Sequence, residues 1–155
     1  MQIRESIRIA ADPATVWRFV ADPELQRLWN PKVVSVHRRQ SGPVLLGERF
    51  EMVYRMSGKE RQTQVEVQRC EPPHHVTFQH RMASNAQEQI AQEAYEISPN
   101  RAGVEVVQTI ELSRIQIAWP LRALIWFITR FGKSVEKPYL ERLKEAVEQQ
   151  NVRAA

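Results

Sequence analysis

From Val33 to Leu112 the apolar residues recur at every second position in one short run after another, and no link between the runs is long enough to hold a helix. This pattern constrains the fold more than any other feature. Strands joined by tight links pair with their sequence neighbours, antiparallel, with one face buried and the other wet. Val34 and Val36 mark the first strand of the series, which runs out at Arg38 and Arg39 before a loop with turn chemistry, SGPVLLG. Phe50, Met52, Tyr54 and Met56 line one face of the next, and Ser57-Gly58-Lys59 turns into a strand carrying Thr63, Val65 and Val67 that stops at Pro72-Pro73. Val76, Phe78, His80 and Met82 mark another. The last pair ends near Tyr95 and Ile97, turns between Pro99 and Gly103, and returns with Val104, Val106, Gln108, Ile110 and Leu112 on one parity. An N-terminal strand with Ile3, Ile7 and Ile9 inward completes a set of seven.

Between that first strand and Val33 lies ADPATVWRFVADPELQRLWNP, in which Asp-Pro occurs twice. In each copy Asp12 or Asp22 suits an N-cap and Pro13 or Pro23 the first helical position, where its missing N–H costs nothing. Val16, Phe19 and Val20 share a face of the first short helix, and Leu25, Leu28 and Trp29 a face of the second. Helices this short are marginal alone, so they need a larger element to pack on.

The chain has 155 residues, 43% hydrophobic and 26% charged, which fits one folded domain over residues 1–150 with residues 151–155 as a flexible tail. The opening residues MQIRESIRI alternate polar and apolar, unlike a secretory signal, so export is not expected. Cys70 has no internal disulfide partner, as suits a cytoplasmic location. The net charge of +4 comes from basic residues scattered among acids, so no nucleic-acid partner is expected.

From Pro120 to about Gln150 the period changes to that of a helix, with Leu121, Leu124, Ile125, Ile128, Phe131 and Val135, then Leu140, Leu143 and Val147, on one face. Gly132 and Pro138 should weaken or kink it. Arg122 and Arg130 interrupt the most apolar part, so it is too short of uncharged residues to span a bilayer.

The order strand, two short helices, six strands, long terminal helix resembles the Bet v 1-like helix-grip fold. The stretches SIRIAADPATVWRFVADPELQRLWNPKVVSV, LLGERF, CEPPHHVTF and YEISPNRAGVEVVQTIEL resemble the bacterial polyketide cyclase/dehydrase and lipid-transport branch of the START-like superfamily, over nearly the whole chain. The resemblance implies an α+β fold in which a curved antiparallel sheet of seven strands is plugged at one end by the two short helices. The terminal helix then lies over the concave face and leaves a cavity, with Trp29 near its lip. No catalytic set of that superfamily matches here residue by residue.

Parity places the candidate site on the same face. A simple register across the last hairpin sets Tyr95 opposite Val106 and Glu93 opposite Gln108, bringing both polar residues to the apolar side, along with His80 and Tyr54. Apolar walls with a few convergent polar groups describe a small-molecule site, and Met52, Met56 and Met82 suit a pocket that adapts its shape. The candidate ligand-binding residues are Trp29, Phe50, Met52, Tyr54, Phe78, His80, Met82, Glu93, Tyr95, Gln108, Leu124 and Ile128, with His80, Glu93 and Tyr54 as candidates for acid, base and orienting roles. Burial should raise the Glu93 carboxyl pKa and a neighbouring His80 should oppose that rise.

Signatures for zinc hydrolysis, acyl-serine chemistry and nucleotide binding are absent, and adjacent His74 and His75 point to opposite strand faces, so neither metal nor cofactor is expected. Trp119, Arg122, Trp126, Arg130 and Lys133 form a stripe away from the core-facing leucines that suits docking to an anionic membrane or a partner protein. Three functions follow: a monomeric or homodimeric carrier of a hydrophobic molecule such as a lipid, quinone or polyketide; a cyclase, aromatase or dehydratase; or an interaction module working through the stripe.

Overall fold

The computed structural model describes residues 2–56, 58–82, 89–112, 120 and 139–154. Strand β1 (Gln2–Ile9) leads into helices α1 (Pro13–Ala21) and α2 (Pro23–Gln26). Strands β2 (Val33–His37), β3 (Arg49–Met56), β4 (Lys59–Glu71), β5 (His75–Met82), β6 (Gln89–Asn100) and β7 (Gly103–Glu111) follow, and helix α3 (Tyr139–Ala154) ends the chain. The seven strands form one sheet in the order β1-β7-β6-β5-β4-β3-β2, every pair antiparallel. The fold is therefore α+β and of helix-grip type, antiparallel as the strand pattern predicts and arranged as the family resemblance implies.

Only the β1–β2 connection joins strands that are not neighbours, and those two strands are the opposite edges of the sheet. With strands about 4.8 Å apart, the link must cross a width of roughly 29 Å before curvature. That is the structural reason for two capped helices here, where the links β2–β3, β3–β4, β4–β5 and β6–β7 are short turns or loops. The Asp12 carboxylate accepts the Thr15 N–H at 2.9 Å and the Thr15 hydroxyl at 2.6 Å. Asp22 closes α1 by donating its N–H to the Arg18 carbonyl at 3.1 Å and opens α2 by accepting the Glu24 N–H at 3.0 Å. Val16, Phe19 and Val20 are buried as their spacing predicts.

Helix α2 is shorter than expected. It ends at Gln26, so Leu28 leaves the helical face it would have shared with Leu25 and Trp29 and is 67% exposed. Gln26 and Trp29 turn inward instead, and their side-chain N–H groups donate to the Val20 and Phe19 carbonyls at 2.8 and 3.1 Å. Strand β2 also departs from simple alternation. A register shift between Val33 and Ser35 puts Val33 in the core and leaves Val34 and Val36 both half-buried.

Leu140, Leu143 and Val147 bury the inner face of α3. The flank beside β1 is tied down by Lys144 Nζ donating to the Arg8 carbonyl at 3.0 Å and the Ala10 N–H donating to Glu148 at 3.1 Å. The helix continues to Ala154, so residues 151–154 are helical. The expected helical run from residue 121 to 138 falls outside the described residues. So do Leu124, Ile128, Trp119, Arg122, Trp126 and Arg130. Gly103 opens β7 with φ +143°, and a Cβ there would sit on the Ile9 carbonyl oxygen, so only glycine lets β7 start this close to the end of β1.

A buried ion cluster joins the short helices to the far edge of the sheet. The Arg38 side chain, 2% exposed, forks onto the Glu48 carboxylate through Nε at 2.8 Å and Nη2 at 3.0 Å. It also donates to the Gly42 carbonyl at 2.7 Å, lies 3.7 Å from the Asp22 carboxylate and stacks over Phe50. Removing one member of a buried pair strands the other's charge, which typically costs about 3–5 kcal/mol, whereas exposed pairs contribute under about 1 kcal/mol. We expect Arg38→Ala to lower unfolding free energy by an amount in the first range in urea titration. Arg55→Ala, which breaks the exposed Arg55–Glu60 pair, should stay in the second; equal effects would contradict this account of Arg38.

Candidate functional site

The inward faces of β3 to β7 are apolar except along one band. Phe50, Met52, Val65, Val67, Val76, Phe78, Ala91, Ile97, Val104 and Val106 supply the buried wall. Into it project Tyr54, Thr63, His80, Glu93, Tyr95 and Gln108, each at an inward position of its strand.

Strand β6 reaches this geometry by a register other than the expected one. Tyr95 pairs with Gln108, Glu93 with Ile110 and Ile97 with Val106. The hairpin turns at Arg101-Ala102, because Asn100 still pairs with Gly103 and β6 continues through Pro99. The resulting shift is even, so partners change while every side chain keeps its face. Tyr95 and Gln108, placed directly opposite, then meet through their polar ends.

Glu93 is the centre of the band, with 14% of its side chain exposed. Its Oε1 accepts the Tyr95 hydroxyl at 2.7 Å and the Gln108 amide at 2.6 Å, and that amide also donates to the Tyr95 oxygen at 3.0 Å. Its other oxygen lies 3.3 Å from His80 Nε2. That contact is close, but it does not have the alignment of a hydrogen bond, and Nε2 has no other partner among the described residues. Burial is the strongest single influence on Glu93 and pushes its pKa up; His80, Tyr95 and Gln108 together outweigh it, and the carboxyl ends below its usual range. The carboxylate in turn reinforces burial in raising both phenols, so Tyr54 and Tyr95 stay protonated well beyond neutral pH.

The remaining neighbours are aromatic. Trp29 meets Tyr95 edge-on at 6.2 Å, Tyr54 meets His80 edge-on at 5.7 Å, and Phe78 lies tilted against His80 at 6.4 Å. Trp29 is 2% exposed, which makes it a core residue behind the polar band rather than a residue at a rim. Phe50 belongs to the Arg38 cluster, and Met82 is half-buried at the far end of β5. Of the candidates within the described residues, the structure thus brings Tyr54, His80, Glu93, Tyr95 and Gln108 into one connected group. It adds Thr63, inward on β4 and 1% exposed, whose hydroxyl has no hydrogen-bond partner among the described residues. The sequence signal for it is a threonine at an apolar-parity position in a central strand.

The group can hold a fixed negative charge, present donors to a bound molecule, and hold or move a proton at His80. Glu93 is unsuited to be an acid because it is ionised, and the two tyrosines are unsuited to be bases. Among the described residues no set of His, Cys, Asp and Glu groups together to hold a metal ion, and no helix is long and apolar enough to cross a membrane. A wide cleft of about 720 Å³ lies elsewhere, at the β2 edge, lined by residues that include His37, Arg39 and Arg49 and by none of the polar band.

The carboxylate gives a pH test. A carboxyl held below its usual pKa of 4.5 stabilises the folded state above that pH, and the contribution disappears as pH falls through the folded value. The stability difference between the natural chain and Glu93→Gln should therefore be level above about pH 5 and shrink in more acid solution. Chemical denaturation across that range measures it; a difference that grows on acidification would show that the carboxyl is raised.

A family model described as polyketide cyclase / dehydrase and lipid transport matches residues 1–148. No curated protein matches the sequence. Solved structures do match in fold. A Chromobacterium violaceum protein is 18% identical with a TM-score of 0.68, covering 95% of this chain and 96% of its own. One from Nitrosomonas europaea is 14% identical with a TM-score of 0.69, covering 98% and 97%. A protein of the dynemicin biosynthetic locus is 15% identical with a TM-score of 0.61, over 96% of this chain and 48% of its own.

Proposed function

From the premise that the chain belongs to the polyketide cyclase/dehydrase and lipid-transport family, we propose that it binds a hydrophobic small molecule, such as a lipid, quinone or polyketide, against the concave sheet face. The observation that carries this reading is the polar band. Six polar or amphipathic side chains converge within an apolar wall, although burying them there is costly and a fully apolar face would fold more easily. A site that must orient an oxygenated hydrophobic molecule has a use for them. The family's description, which names both polyketide chemistry and lipid transport, supports the same class of ligand. The cytoplasm is the proposed setting, supported by the lone Cys70, whose thiol is pushed up by burial and donates to the Val44 carbonyl.

A second reading is favoured by one contact, the 3.3 Å approach of His80 to ionised Glu93. His80 would exchange a proton with a bound carbonyl compound, with the Glu93 carboxylate beside it and Tyr54 orienting the compound. Such a proton exchange would serve a cyclase or dehydratase reaction.

Native mass spectrometry of gently purified protein, followed by solvent extraction, tests the first reading. We expect a retained apolar compound. Glu93→Gln and His80→Ala should weaken its retention by no more than about tenfold, the typical effect of one lost hydrogen bond. Variants that keep the compound but lose turnover of it would select the enzyme. A protein that retains nothing and binds no apolar probe would contradict both.

A further inference from the structure

Thr63 has an unusual position in the polar band. Tyr54 pairs with Arg61 and His80 with Val65, so Thr63 is the β4 residue midway between them. The rings of Tyr54 and His80, anchored on strands that flank β4, nevertheless touch at 5.7 Å. They therefore meet over Thr63 and roof it. Thr63 Oγ1 and His80 Nε2 are both shut off from water, and among the described residues neither makes an aligned hydrogen bond, Nε2 having only its 3.3 Å approach to Glu93. Native proteins rarely leave two such atoms on neighbouring strands, because each forfeits its bonds to water without full replacement. The roof itself is weakly held on one side. Among the described residues the Tyr54 hydroxyl donates only to the Met52 thioether, a poor acceptor, at 3.3 Å.

We propose that Thr63 and His80 form a recessed anchor for one oxygen acceptor of the ligand, a carbonyl or similar group, exposed when the Tyr54 ring swings aside. The inference rests on the concave-face reading above and narrows it from hydrophobic molecules in general to oxygenated ones. Residues diagonal to one another on adjacent strands lie about 7–8 Å apart, a span that a single oxygen accepting from both side chains can bridge. The ligand oxygen then completes both donors at once, and Tyr54 gives up no strong bond in making room. Glu93 has no spare part in this anchor, since one of its oxygens already serves Tyr95 and Gln108 and the other faces His80. Thr63 is thus a residue that selects ligands.

Equilibrium dialysis with two probes of matched shape, 2-acetylnaphthalene and 2-isopropenylnaphthalene, in which a CH2 group replaces the carbonyl oxygen, tests the anchor in the natural chain, Thr63→Val and Thr63→Ser. The readout is the affinity ratio of ketone to hydrocarbon. Thr63→Val keeps the shape and deletes the hydroxyl, so we expect it to reduce the ratio by roughly fivefold to tenfold, while Thr63→Ser preserves it. Because the hydroxyl has no partner in the free protein, Thr63→Val should leave the melting temperature unchanged or raise it by about 2–4 °C. Loss of preference together with a steady or higher melting temperature supports the anchor. An unchanged ratio in Thr63→Val overturns the anchor and leaves the concave-face reading standing. A clearly lowered melting temperature also overturns it, since the hydroxyl would then have a partner within the fold. If the natural chain binds neither probe, the concave-face reading fails and the anchor fails with it.

Discussion

A seven-stranded antiparallel sheet with one apolar face is stable only when that face is covered, and its two edge strands are β1 and β2, adjacent in sequence but at opposite sides of the sheet. The chain meets both demands with one device. The link from β1 to β2 has to cross the sheet, and by crossing as two helices it buries Val16, Trp17, Phe19 and Val20 beneath it. Asp-Pro starts each helix sharply, so the turn between them needs no extra residues. Arg38 then holds the end of the crossing against the far edge by reaching Asp22, Glu48 and Gly42 together. At the near edge Gly103 lets the last hairpin come up against the exit of β1. Helix α3 packs Leu140, Leu143 and Val147 inward where it meets β1 and α1.

Within this cover the polar band stands against the general tendency of the face. Glu93 is tolerated there because its neighbours answer its charge: two strong donors on one oxygen and His80 beside the other. The same charge keeps Tyr54 and Tyr95 protonated, which makes them donors throughout the physiological range. Among the described residues the band therefore has a satisfied half, on β6 and β7, and a half on β4 and β5 in which Thr63 Oγ1 and His80 Nε2 make no aligned hydrogen bond. A purely structural network would be expected to satisfy both. Free binding capacity next to a fixed, internally satisfied carboxylate is what a site that orients a hydrophobic molecule needs.

Much of this was legible in the sequence because side-chain direction in a strand has a period of two. His80, Glu93 and Gln108 were placed inward by parity, and they stayed inward even though the hairpin register moved by two, since an even shift leaves faces alone. What parity does not contain is the identity of cross-strand partners, and so the Tyr95–Gln108 contact was out of reach. Leu28 was misplaced because helical spacing continues past the point where α2 ends. Val34 alternates with Val36 in the sequence, but the register shift between Val33 and Ser35, which depends on pairing with β3, buries Val33 instead. Arg38 reads as a charged strand terminus, and only the return of the 42–48 loop brings Glu48 and Gly42 around it. Thr63 was seen as a member of the inward face, but its lack of a partner depends on two rings contributed by other strands.

The central claim is that ligands bind at the polar band and not in the cleft at the β2 edge. Two-dimensional NMR of side-chain nitrogens, recorded while 2-acetylnaphthalene is added, separates the two places, because each contains a histidine. The account predicts that the imidazole of His80 and the side-chain amide of Gln108 shift as the probe binds while the imidazole of His37, in the cleft, stays where it is. Movement of His37 with His80 and Gln108 unchanged would contradict it.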